Sequence, residues 1–211
     1  MEPFTRSWTA LLAAVAARPD RDFERPSGCA GWLVRDLVCH LVIDAQDVLI
    51  TLATPAAGPA TRDAVSYWDV VSPPTGDDPL DALTVRLAAA YGDPALLKFH
   101  LDDVGSAAGR AAALADPTAL VGTRDQVLTA GDYLTAYVME WTLHHLDLSP
   151  TAAPPASAEA RAMLEQIAGF AFPASFSDAD ALRVGTGRRL PTPAEHSALG
   201  AHATRLPLPL G

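Results

Sequence analysis

Groups able to bind a metal or move a proton crowd one otherwise apolar stretch, AYVMEWTLHHLDLSP, Ala136 to Pro150, which carries Glu140, His144, His145 and Asp147 among Tyr, Val, Met, Trp and Leu. Such groups are costly in an apolar element unless they are paired, hydrogen-bonded or bound to a metal. On a helix, residues four apart project within about 40° of each other, so Glu140 and His144 are neighbours and Asp147 returns to their face one turn later. His145 lies about 100° around from His144 and is not expected to be a ligand. A carboxylate and an imidazole at this spacing can chelate one divalent ion, with Asp147 placed to orient the ring. Two ligands do not make a site, and taken alone the stripe reads better as a partly solvated polar face.

A third ligand must come from elsewhere, and WLVRDLVCHLVIDAQDVLITLA, Trp32 to Ala53, offers His40. Its polar residues Asp36, His40, Asp44 and Asp47 fall within about 80° of one another on a helix that is apolar nearly everywhere else. Two helices that are each largely buried, each with one narrow polar stripe containing histidine, can bring those stripes together in a bundle.

Apolar residues recur at helical spacing along most of the chain and strict alternation is almost nowhere, so the fold is expected to be all-α. A first helix fits Phe4 to Ala17 and stops before Pro19. A second fits Leu33 to Ala53, broken off by TPAAGPATRD. A third fits Pro79 to Ala90, with Asp77 and Asp78 as cap and Pro79 in the first turn, and another fits Ala95 to Leu114, unless the two are one interrupted helix. Thr129 with Asp132 resembles a capping box, placing the next helix at Ala130 to Leu148. After the proline-rich TAAPPAS, a helix fits Ser157 to Phe170. The remainder, 173–211, is read as irregular apart from a short helix at TPAEHSALG capped by Thr192. Residues 1–150 are expected to form a metal-binding bundle, with 151–211 as a C-terminal extension packing on it.

Composition narrows the function. The chain has 211 residues, 49% hydrophobic and 19% charged, as expected of a globular protein. Net charge is −10 and Lys98 is the one lysine, so the basic footprint that nucleic acid requires is missing. Alanine and arginine richness with so little lysine points to a high-GC genome. Two cysteines, Cys29 and Cys39, make no disulfide framework and suit a reducing cytosol. The longest apolar run, Leu37 to Leu52, is interrupted by His40, Asp44, Gln46 and Asp47, and MEPFTRSW has no signal-like pattern, so neither a membrane span nor a targeting segment is expected.

The run PSGCAGWLVRDLVCHL, Pro26 to Leu41, followed about a hundred residues later by EWTLHHLD, resembles the DinB-like superfamily, specifically the N-terminal domain family of mycothiol-dependent maleylpyruvate isomerases, over roughly residues 4 to 150. The resemblance implies a four-helix bundle and a metal, normally zinc, held by His40, Glu140 and His144. It names mycothiol, the low-molecular-weight thiol of actinobacteria, as co-substrate. Three protein ligands leave an open position, as in catalytic zinc, and a thiol taken up there becomes a nucleophile. Adding to an electrophilic carbon, it either stays, as in an S-transferase, or leaves after bond rotation, as in a cis–trans isomerase. A metal-dependent hydrolase and a non-catalytic metal-binding bundle, for stress or small-molecule binding, are the alternatives. The partners expected are a small thiol and an electrophile, for a monomer or homodimer.

Two departures from the family pattern stand out. Leu33 replaces the usual Thr or Ser after the motif tryptophan, forfeiting a cap worth about 1 kcal/mol. Full-length relatives are expected to carry a larger C-terminal domain than the roughly 60 residues after Pro150. In its place RVGTGRRLPTPAEH, Arg183 to His196, is either a site cover, with Arg188 or Arg189 meeting an anionic substrate, or a solvated loop. Cys29 and Cys39 are read as structural, His100 with Asp102 and Asp103 as a solvated group or a second metal cluster, and Trp32, Trp68 and Trp141 as core or pocket wall.

Overall fold

A computed structural model describes residues 2–70, 79–208 and 210. Among them the apolar periodicity becomes eight helices: α1 (Glu2–Ala16), α2 (Val34–Leu52), α3 (Pro79–Tyr91), α4 (Pro94–Leu114), α5 (Ala130–Leu148), α6 (Ser157–Ala168), α7 (Asp178–Gly185) and α8 (Pro193–Leu199). α1, α5, α2 and α4 pack in a ring, each against the next, and form a four-helix bundle. α1 buries Phe4, Trp8, Leu11 and Val15, the i, i+4, i+7, i+11 stripe of an amphipathic helix. Trp8 stacks on Trp141 of α5 with centroids 3.9 Å apart, and its Nε1–H donates to the Gly105 carbonyl of α4 at 2.7 Å. That single indole ties three helices.

The departure at Leu33 is met within the same turn. Without a cap hydroxyl, α2 starts with the Asp36 carboxylate accepting from the Leu33 N–H at 2.8 Å, half of the reciprocal bonding of a capping box. α3 and α4 are two helices, parted at Gly92, with Asp93 accepting from the Ala95 N–H at 2.9 Å. The expected cap at Asp77 and Asp78 lies outside the described residues.

The chain is helical as expected, with one addition. β1 (Leu120–Thr123) and β2 (Gln126–Thr129) form an antiparallel hairpin whose turn residues Arg124 and Asp125 have φ of 47° and 62°, the geometry of a tight two-residue turn. Strands of four residues are too short for alternation to be read. The Ala56 N–H donates to the Leu120 carbonyl and the Gly122 N–H to that of Thr54, each at 2.9 Å, so the hairpin seizes the chain leaving α2. Thr129 ends β2 and caps α5, its Oγ1 accepting from the Asp132 N–H at 3.0 Å.

Beyond Pro150 the chain is more regular than expected. α7 falls where the sequence predicts an irregular stretch, yet Ser177 caps it by accepting from the Asp180 N–H at 3.1 Å, and Ala181, Leu182 and Val184 are buried. Eight residues between glycine- and proline-rich flanks left too short a pattern to see. α6, α7 and the segment between them carry Leu164, Phe172, Phe176 and Leu182 into the same continuous core as the bundle. No described helix is long and apolar enough to cross a membrane.

Candidate metal centre

The site lies where α2 and α5 pass each other, and its outer wall is the turn of residues 26–32. That turn closes on itself, with the Ser27 N–H donating to the Trp32 carbonyl at 2.9 Å, and it seats on the end of α5 through the Gly28 N–H to the Asp147 carbonyl at 2.8 Å. A Cβ at Gly28 would stand 2.6 Å from Asp147 Cα, so only glycine permits this approach.

α5 presents Glu140, His144 and Asp147 one turn apart on one face, and α2 presents His40 and Asp44. One ligand-type atom from each of His40, Asp44, Glu140 and His144 lies within 4.8 Å of the others. Glu140 Oε1 is 3.1 Å from His144 Nε2 and 3.7 Å from His40 Nε2, and His40 Nε2 is 3.4 Å from Asp44 Oδ2. The two rings meet edge to face with centroids 4.9 Å apart. The His144 side chain is 4% exposed and that of His40 24%, so the cluster opens to solvent on the side of His40, beside Trp32.

His144 has a carboxylate on each ring nitrogen, Glu140 at Nε2 and Asp147 Oδ2 at Nδ1, the latter at 3.2 Å. Burial by itself would lower its pKa, but the Glu140 carboxylate, with bonds to Asp147 and Cys29, holds it well above the usual histidine range. Both ring nitrogens thus face a carboxylate oxygen, an arrangement that favours a proton on each in the metal-free protein. Burial works to raise the pKa of Glu140, and His144 and His40 outweigh it and hold the carboxyl below the usual range. Asp44 goes the other way: burial first, then the Glu140 charge, push it up to about 6 against the pull of the histidines. Its Oδ2 is buried without a hydrogen-bond partner.

Behind His144 lies a second constellation. Cys29 Sγ is 3.2 Å from Asp147 Oδ2 and 3.8 Å from His144 Nδ1, and Arg188 donates Nε–H and Nη2–H to the two Asp147 oxygens at 2.8 and 2.9 Å. Cys29, His144 and Asp147 have a metal-like spacing, but the Asp147 charge is already met by a guanidinium, whereas Asp44 and Glu140 have none. The cation-deficient side is the Nε2 side.

Each residue singled out from the sequence can now be placed. His40, Asp44, Glu140 and His144 converge, and Asp147 stands on the far nitrogen of His144. His145 is outside both clusters. Arg188 is paired with Asp147, and Arg189 with Glu195 and Asp180. Cys29, expected to be structural, stands against His144 and Asp147. Its signal was its seat in the same turn that leads to His40, but only the fold shows that turn resting on α5. Cys39 is buried in the core. His100 bonds to the Tyr91 hydroxyl, while Asp102 and Asp103 face solvent. Trp141 and Trp68 are core, and Trp32 borders the site.

The mycothiol maleylpyruvate isomerase N-terminal domain family matches residues 4–149. The chain belongs to this family. A crystal structure of the mycothiol-dependent maleylpyruvate isomerase superposes with a TM-score of 0.63, at 14% identity over 89% of each chain. A histidine-to-alanine mutant of that enzyme gives 0.60 with the same identity and coverage. At that identity the likeness speaks for the fold. A search by sequence among curated proteins returned no match. At equal coverage the two chains are of similar length.

Proposed function

We propose that this family member holds a zinc-like divalent ion through His40, Glu140 and His144, and uses a low-molecular-weight thiol, mycothiol by family, as a nucleophile in S-transfer or cis–trans isomerisation. The observation that carries the metal reading is the convergence of donor atoms from His40, Asp44, Glu140 and His144 within 4.8 Å of one another, with an Asp44 oxygen among them that makes no hydrogen bond. The donor set, two imidazoles with carboxylate oxygen, suits zinc. A divalent ion there supplies the positive charge that deprotonates an incoming thiol near neutral pH.

The chain's own residues do the rest. Asp147, accepting from Nδ1, selects the His144 tautomer whose Nε2 faces the cluster. Asp44 adds a buried acceptor beside His40. Trp32 and the His40 edge form the open side through which thiol and electrophile reach the site. Residues 1–150 are then the metal-binding bundle and 151–211 the extension that packs on it, with two small molecules as partners in the cytosol, for a monomer or homodimer.

One observation favours hydrolysis as a second reading. A carboxyl pushed up to about 6, as Asp44 is by burial, suits a general base acting on water. Thermal melting of the zinc-loaded chain against mycothiol, glutathione and no thiol separates the two. Stabilisation that grows with the logarithm of thiol concentration above the dissociation constant is expected for the thiol reading. No thiol-dependent shift, together with thiol-independent hydrolysis of an ester or amide, would overturn it.

A further inference from the structure

Arg188 and Arg189 are adjacent in sequence and do different work. Arg189 closes its own turn: its guanidinium pairs with Glu195 at 2.7 Å and Asp180 at 3.0 Å, and its N–H donates to the Arg183 carbonyl at 3.1 Å. The Leu208 N–H donates to the Gly185 carbonyl at 2.8 Å, which draws the tail beneath the end of α7. The turn held in this way sends Arg188 in the opposite direction, onto α5. Its side chain is 10% exposed and that of Asp147 1%, so the pair is removed from solvent.

A carboxylate gripped along both oxygens by a guanidinium is fixed in plane as well as in position, because the fork donates two parallel bonds. The same carboxylate accepts from His144 Nδ1. A ring bonded to a fixed acceptor is fixed in tautomer and in rotation, and both set where Nε2 points. Without the guanidinium, Asp147 would be a buried charge short of its counter-ion, free to protonate or turn.

We infer that Arg188 is a positioning residue for the metal centre: acting through Asp147 it orients His144, so the C-terminal extension governs how tightly the bundle holds its divalent ion. This rests on the metal reading above. It also gives Arg188 a role other than meeting an anionic substrate.

The test uses the full chain, stripped of metal, with zinc affinity measured by competition against a chromophoric chelator and site geometry read from the visible spectrum of the cobalt(II) form. Arg188→Gln is expected to weaken zinc roughly 10- to 100-fold, the usual effect of removing a partner behind a ligand, and to change the cobalt spectrum. Arg188→Lys, which keeps the charge but not the fork, restores part of the affinity and carries the comparison if Arg188→Gln does not fold. In an Asp147→Asn background Arg188→Gln has no further effect. Arg183→Gln, which unties the same extension from the Pro150 and Ala152 carbonyls, leaves affinity at the wild-type level. Unchanged affinity in Arg188→Gln, an equal loss in Arg183→Gln, or a full additional loss in the Asp147→Asn background would each overturn the inference. A wild-type chain that takes up neither ion overturns the metal reading itself and this inference with it.

Discussion

Replacing Gly28 by alanine tests how closely the motif turn is fitted to α5. The added Cβ would stand 2.6 Å from Asp147 Cα and 2.7 Å from its Oδ1, so about 1 Å of separation must open to reach ordinary contact. Asp147 is buried and gripped by Arg188, so the turn has to give, and its movement breaks the Gly28 N–H bond to the Asp147 carbonyl. Overpacking of this kind costs about 1–3 kcal/mol, and a lost backbone bond costs about 1 kcal/mol. Alanine recovers about 0.4–1 kcal/mol by restricting the unfolded chain. The net loss is about 2 kcal/mol, which for a chain of this size lowers the melting temperature by roughly 4–8 °C. Gly109→Ala is the control: its Cβ finds Trp8 Cδ1 at an ordinary 3.6 Å within helix α4, and the change should stabilise by about 0.5–1 kcal/mol. Calorimetry of the metal-free proteins at one pH reads both. A Gly28→Ala protein melting within about 1 °C of wild type, with an unchanged urea midpoint, would refute the fit described here.

Three further outcomes are expected. Elemental analysis should find about one divalent ion per wild-type chain and a loss of it in His40→Ala, whereas His145→Ala keeps it; the reverse pattern would mean the ligands are wrongly assigned. The zinc-induced rise in melting temperature should grow as pH climbs above about 6.5. Burial opposes but does not prevent the raised pKa of His144, so the protonated ring stabilises the metal-free fold below the unfolded value near 6.5 and that stability fades as pH climbs, while the ion needs the neutral ring. A pH-independent shift would contradict this. Asp44→Asn should raise metal-free stability at pH 8 by on the order of 1–3 kcal/mol, because burial has pushed that carboxyl up to about 6, and should weaken metal binding; lower metal-free stability would show that Asp44 is better solvated than its surroundings imply.

The convergence at the site was legible because the 3.6 period is strict in the two helices that build it. Glu140 and His144 share a face by arithmetic, and His40 shares one with Asp44, so only the meeting of the faces needed the fold. What could not be read depends on tertiary contact. Cys29 and Arg188 reach Asp147 across more than a hundred and about forty residues of chain respectively, and nothing local marks either. The hairpin and α7, at four and eight residues, carry too little pattern to be read, although Ser177 is a cap signal; Arg124-Asp125 is none, because two-residue hairpin turns favour Asn-Gly or Asp-Gly. Asp36 took over the capping that Leu33 cannot perform, so a cap missing from the motif moved no boundary by more than a residue.

The hairpin has a bearing on the far end of the bundle. It pins the exit of α2 to the entrance of α5 by backbone bonds at residues 54–56 and 120–122, while Gly28 pins the opposite ends at Asp147. Two helices fastened at both ends cannot slide along each other, and the gap between His40 and Glu140 is set before anything enters it. On the proposed metal reading, an ion arriving there meets a gauge rather than a clasp, and its fit becomes a matter of length along the backbone, set some three turns away from the atoms that would bind it.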